Sequence, residues 1–144
     1  MEMNDLTVLA VEDNKQAMGL LKAMLADIGV RQVYTAKTGK EALSFMDSCE
    51  EMIDVILCDW NMPEMTGFEL LRQVRAVNPD LPFLMITGAS DKESVVRAKE
   101  SGVTGYIVKP YSRMQLEKKL QLMLRVMRAK NPADEQGAVW ERSV

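Results

Sequence analysis

The sequence predicts an α/β protein: a doubly wound, five-stranded parallel sheet of order 2-1-3-4-5, held in three α/β/α layers. Three observations carry this. Five short apolar runs alternate strictly with five segments of helical period along the 144 residues, the pattern that builds parallel sheets through right-handed crossovers. Most runs are continuously apolar rather than alternating, as strands covered on both faces are. The length suits one domain of ~100–200 residues and not two.

The strands are read at Leu6 to Val11, Gln32 to Ala36, Ile53 to Cys58, Pro82 to Thr87 and Thr104 to Val108. The second, QVYTA, is the most polar and is placed at the sheet edge. Met18, Leu21, Leu25 and Ile28 mark one face of the first helix. Ala42, Leu43 and Met46 mark the second, and Phe68, Leu70, Leu71 and Val74 the third. The fourth, Asp91 to Ser101, is weakly amphipathic. Leu116, Leu120, Met123, Leu124 and Met127 give the fifth a strong stripe. The 12 methionines mostly fall on such stripes and read as flexible core filler.

Helix starts are signalled by four capping boxes: Thr38 with Glu41, Thr66 with Glu69, Ser90 with Glu93, and Ser112 with Gln115. Stops fall at Gly29, Asn78-Pro79 and Gly102. Residues 128–144 (RAKNPADEQGAVWERSV) carry Pro, Gly, mixed charge and no period. They are expected to be a frayed helix end and a flexible extension, which leaves 1–127 as the folded domain. Trp140 within them reads as an ordinary tail residue, with docking as the alternative.

Composition removes several classes of function. Hydrophobic residues are 47% and charged residues 27%, an ordinary globular balance that needs no disulfide staple. The net charge of −3 argues against a binder of nucleic-acid phosphates. There is no histidine, so Ser-His-Asp and Cys-His catalysis, His-ligated metal and a phosphohistidine carrier are excluded. Cys49 and Cys58 lack the CxxC spacing of redox or zinc motifs. Cys58 sits in an apolar run and reads as a buried, reduced thiol, which suits the cytoplasm. The opening MEMNDLT has no apolar signal core, and no run approaches the ~20 residues of a membrane span.

In open α/β sheets, ligands bind at the carboxyl ends of the strands, where the strand order reverses. Glu12 and Asp13 follow the first strand, Asp59 the third and Lys109-Pro110 the fifth, and Thr87 ends the fourth. Strands one and three are neighbours at the switch point, so Glu12, Asp13 and Asp59 should share a pocket rimmed by Thr87 and Lys109. Clustered carboxylates must protonate or bind a cation, and hard divalent ions such as Mg²⁺ take oxygen ligands. Asp13 alone could instead cap the first helix. A flavodoxin-like nucleotide or flavin site would need a phosphate-cradling loop after the first strand. VEDNKQA is acidic and lacks glycine, so a phosphate there must be covalently attached or bridged by metal.

The segments VEDN at 11–14, CDWNMPEMTGFELL at 58–71, MITGAS at 85–90 and GYIVKPY at 105–111 stand in order at strand ends. Together they resemble the receiver domain of two-component response regulators in its single-domain, CheY-like form, over about Leu6 to Met127. The resemblance implies that Asp59 is the phosphoacceptor. Its carboxylate would attack the phosphohistidine of a sensor histidine kinase, or acetyl phosphate, giving an aspartyl phosphate. It implies Mg²⁺ held by the carboxylates of Asp13 and Asp59 and the main-chain carbonyl of Asn61, with Glu12 acting mainly through a water. Lys109 would add a point positive charge to the phosphoryl oxygens, in a transfer dominated by positioning and electrostatics. Pro110 suggests a cis Lys109–Pro110 bond; a helix-start proline is the alternative.

Thr87 and Tyr106 resemble the family's switch pair. The Thr87 hydroxyl would move to the phosphoryl group, the Tyr106 ring would turn inward, and the face of fourth helix, fifth strand and fifth helix would be remodelled for a downstream target protein. Taken alone, Tyr106 reads as a strand aromatic. Gly88 and Ala89 depart from the commoner family residues, which bears on loop rigidity and water access. Trp60 borders the acceptor, so its fluorescence should report site occupancy; loop packing is the alternative. The implied function is a phosphorylation-controlled, protein-binding switch, not an enzyme with a diffusing substrate, and a monomer unless phosphorylation pairs it. A phosphorelay intermediate and an excised receiver of a larger regulator are the alternatives.

Overall fold

In the computed structural model, which describes residues 2–49, 52–88 and 92–129, five strands pair in parallel. They are β1 (Thr7–Val11), β2 (Gln32–Ala36), β3 (Val55–Asp59), β4 (Phe83–Gly88) and β5 (Gly105–Lys109), ordered β2-β1-β3-β4-β5. The crossovers are α1 (Lys15–Ile28), α2 (Gly39–Cys49), α3 (Gly67–Val77) and α4 (Lys92–Glu100), and α5 (Arg113–Ala129) follows β5. The fold class and strand order are those expected.

Successive strand side chains point to opposite faces, so each central strand feeds two cores. Leu9, Val11, Ile56, Cys58, Phe83 and Met85 pack with Ala42, Met46, Leu70, Leu71, Val74 and Ala98 from α2, α3 and α4. Val8, Ala10, Val55, Leu57, Leu84 and Ile86 pack with Leu21 and Leu25 of α1 and Leu116 and Leu120 of α5. Each fully buried Val, Leu, Ile, Phe or Met among these contributes roughly 1.5–3 kcal/mol, and this holds both helical layers on the sheet. β2 buries only Ala36, with Gln32 and Thr35 exposed and Val33 and Tyr34 half-buried, in keeping with its place at the sheet edge.

Strand ends differ from the sequence expectation in a consistent way. β3, β4 and β5 each run one residue past the apolar run, because the ladder continues through polar residues. Asp59 stands opposite Ile86, and Gly88 opposite Lys109. At the other end Leu6 and Ile53 are buried core residues outside the ladder.

Two capping boxes close as expected, Thr66 with Glu69 and Ser112 with Gln115. The Thr38 box closes on one side only, since Thr38 Oγ1 accepts from the Glu41 N–H while the Glu41 side chain accepts from the Lys37 N–H instead of the Thr38 N–H. The fourth rests on Ser90, which with Ala89 and Asp91 lies outside the described residues. Gly29 ends α1 at φ 109° and Gly102 follows α4 at φ 90°, left-handed positions that glycine adopts at little cost. α5 runs through Ala129, so the helix end expected from 128 onward includes at least two residues. Residues 130–144, with Trp140, lie outside the described residues.

Candidate functional site

The register explains how the acids meet. Val11 stands opposite Cys58 on the paired strands β1 and β3, so the next residues, Glu12 and Asp59, emerge side by side. Both are buried, whereas Asp13 is exposed. One carboxylate oxygen from each of Glu12, Asp13 and Asp59 lies within 4.8 Å of the others. The cap of α1 falls to Asn14, whose side chain accepts from the Ala17 N–H at 2.8 Å, so Asp13 is not the helix cap.

Lys109, the last residue of β5, reaches back over the sheet end. Its Nζ lies 3.5 Å from Glu12 Oε1 and 3.5 Å from Asp59 Oδ1. Main-chain donors steady the same carboxylates: Asn14 N–H to Glu12 Oε2 at 3.1 Å and Asn61 N–H to Asp59 Oδ1 at 3.4 Å. Burial raises the Glu12 carboxyl above its usual range; the Asn14 N–H works against this and the Asp59 charge adds to it. Three acids against one lysine leave negative charge uncompensated, and the all-oxygen donor set fits a hard divalent cation.

The loop after Asp59 is tied down on both sides. Trp60 N–H donates to the Ile86 carbonyl at 2.8 Å, and Gly67 N–H donates to the Trp60 carbonyl at 2.9 Å. A Cβ on Gly67 would lie 2.5 Å from the Asp59 carbonyl oxygen and 3.0 Å from Trp60 Cα. Only glycine lets α3 start this close to the acid. Trp60 is itself buried and belongs to the core on the α2–α3–α4 side of the sheet. Cys58 is buried as expected, its Sγ donating to the Asp59 carbonyl at 3.2 Å, and burial pushes its thiol well up.

Thr87 is buried on β4, one residue past the Ile86 that faces Asp59. The Lys109–Pro110 bond is cis, and Pro110 precedes rather than begins α5. Tyr106 lies on β5, half-buried, with Lys99 Nζ of α4 and Lys119 Nζ of α5 each 5.3 Å from its ring centroid. Burial lowers the Lys119 ammonium from its ordinary range, and the Lys99 charge adds to this.

One feature escaped the sequence. A cavity of about 410 Å³ opens beside the acids, lined by Ala17, Leu20 and Met24 of α1 together with Glu12, Lys109 and Tyr111. Its signal was Leu20, an apolar residue off the buried stripe of α1 and 59% exposed. Among the described residues, no helix is long and apolar enough to cross a membrane.

Residues 8–121 match the response regulator receiver domain. The chain belongs to that family. This receiver domain is 37% identical over 119 residues to chemotaxis protein CheY1 of Helicobacter pylori, a match covering 81% of this chain and 95% of that protein. It is 36% identical over 116 residues to chemotaxis protein CheY of Pseudomonas aeruginosa, covering 79% and 92%. The solved structure of the chemotaxis response regulator CheY4 of Vibrio cholerae superposes with a TM-score of 0.73 at 38% identity, covering 82% of this chain and 98% of that one. The receiver domain is thus a component of two-component signal transduction, and its relatives are signalling proteins. Receiver domains bind Mg²⁺ at an acidic pocket, and Glu12, Asp13 and Asp59 form such a cluster here.

Proposed function

We propose that this receiver domain is switched by phosphorylation of Asp59, with a sensor histidine kinase as the donor. The observation that carries the reading is the buried Asp59 carboxylate, gathered with two further acids and touched by the Lys109 ammonium. An Asp59 oxygen attacks phosphorus, forming the O–P bond as the donor's N–P bond breaks and the electron pair leaves with the imidazole. Asp13, Asp59 and the Asn61 main-chain carbonyl would hold Mg²⁺, with Glu12 acting through water, and the bound ion would offset phosphoryl charge. Lys109 supplies a fixed positive charge to the phosphoryl oxygens. The cavity beside Lys109 and Tyr111, apolar along α1, offers the donor protein a place to seat the side chains around its histidine.

The output follows from Thr87 and Tyr106. Thr87 lies one residue past the level of Asp59 on the neighbouring strand, and its hydroxyl turns to the phosphoryl group. Tyr106 then turns inward, away from Lys99 and Lys119, and changes the face that α4, β5 and α5 present to a downstream protein. Domain 1–127 holds all of these parts. The test is Mg²⁺-dependent labelling with radiolabelled acetyl phosphate. Wild type is expected to label and Asp59→Asn is not; stoichiometric labelling of Asp59→Asn overturns the assignment.

A further inference from the structure

A second line of contacts leaves the acceptor site on the other side of α4 from Tyr106. The Trp60 ring, next to Asp59, lies 5.7 Å from the Phe68 ring of α3 at a tilt of 41°. The Arg97 guanidinium of α4 lies over that same Phe68 ring, 4.3 Å from its centroid. Arg72, one turn along α3, stands further off at 5.9 Å. We infer that Phe68 and Arg97 are positioning residues: through Trp60 they link the placement of α4 to the loop that carries Asp59.

Three facts support this. Trp60 cannot drift independently of the acid, because its main chain is bonded to β4 on one side and α3 on the other. Phe68 is partly buried against the α2–α3–α4 core, so its ring is held in place while one face remains for the cation. Arg97 is exposed and shares its helix with Ala98, which enters that core, and with Lys99, which borders Tyr106. α4 therefore meets two aromatic rings through residues two positions apart, Phe68 through Arg97 on the acceptor side and Tyr106 through Lys99 on the partner side. Its hydrophobic face is short, with Ala98 its one fully buried hydrophobic side chain among those described. A cation–ring contact at an exposed site shifts an equilibrium by about two- to five-fold, enough to move a helix held this lightly.

Transmission along this line rests on phosphorylation of Asp59; the link itself does not, and the two are tested separately. In the unmodified full chain, hydrogen exchange of the α4 amides is measured in Phe68→Leu, Arg97→Gln and the double variant. Each single variant is expected to speed exchange by about two- to five-fold, and the double variant no more than either single one. Additive effects, or none, overturn the link. The same exchange is then measured with Mg²⁺ and beryllium trifluoride, a phosphoryl mimic, with occupancy read separately by fluorine NMR of the bound mimic. The variants are expected to bind the mimic as wild type does while the response of α4 shrinks. A full wild-type response in both single variants overturns the transmission. Failure of wild type to bind the mimic would count against the phosphoacceptor reading and leave the result on the link standing.

Discussion

The Lys109 ammonium stands 3.5 Å from the Asp59 carboxylate and equally close to that of Glu12. It is the cation built into an acidic pocket, and a divalent ion entering that pocket meets its repulsion. Lys109→Gln should therefore tighten Mg²⁺ binding, by about ten-fold once solvent screening of a partly exposed ammonium is allowed for. On the proposed phosphoacceptor reading, the same variant should lose phosphate uptake, since the positive charge assigned to the phosphoryl oxygens is gone. Trp60 emission, in a Trp140→Phe background that leaves one indole, reports the metal titration. Unchanged or weaker Mg²⁺ binding would show that the lysine does not oppose the ion.

Gly67 is fixed by space. Its added Cβ would press on the Asp59 carbonyl, the Trp60 main chain and Met85 Sδ, at 2.5, 3.0 and 2.9 Å. The first two are backbone and cannot swing away. Gly67→Ala should cost roughly 1–3 kcal/mol, the range for overpacking a tight site. It should also slow acetyl phosphate labelling more than Gly19→Ala, where a Cβ meets nothing within 4 Å. Urea midpoints and labelling rates of the two variants decide it; equal behaviour would show that the contact yields freely.

The lysines beside Tyr106 give a pH prediction. Burial and the Lys99 charge hold Lys119 below the ordinary lysine range. Between that lowered value and the unfolded value near ~10.4, the folded state binds fewer protons than the unfolded state, so Lys119 makes stability rise with pH across this window. Below the lowered value both states are charged and the penalty is present in full. Lys99→Gln removes the like charge and should raise the Lys119 titration, followed by NMR of its side-chain amine. A downward shift would mean that Lys99 helps rather than hinders the charge.

The sheet and its acids were legible because both rest on local signals. Apolar runs of strand length announce β1, β3 and β4, and Glu12, Asp13 and Asp59 stand directly after such runs. The strand ends were less legible, since Asp59 and Lys109 are polar yet remain in the ladder. Asp13 read as a plausible cap because any short acid before a helix does; only the geometry gives that role to Asn14. Phe68 looked like one more member of the α3 stripe, and nothing in the weakly amphipathic fourth helix singled out Arg97. Their meeting depends on how α3 and α4 lie on the sheet, which no spacing encodes.

Arg75 was invisible for a related reason: its partners are mostly carbonyls, which carry no sequence signature. From the last turns of α3, its Nε donates to the Gly102 carbonyl at 2.8 Å and its Nη1 to the Leu81 carbonyl at 2.7 Å. Its Nη2 reaches Thr104 Oγ1 at 3.3 Å, and that hydroxyl accepts from the Phe83 N–H at 2.9 Å. One guanidinium thus ties the end of α3 to the start of β4 and the turn between α4 and β5. Removing it strands partly buried acceptors, at about 1–3 kcal/mol for the first and less for those water can reach. Arg75→Ala should lower stability by roughly 2–4 kcal/mol. Arg75→Lys should recover only part, because an ammonium lacks the planar fork that serves three directions at once. Urea unfolding of both variants measures this, and full recovery by lysine would mean that charge alone, not the fork, holds the three segments together.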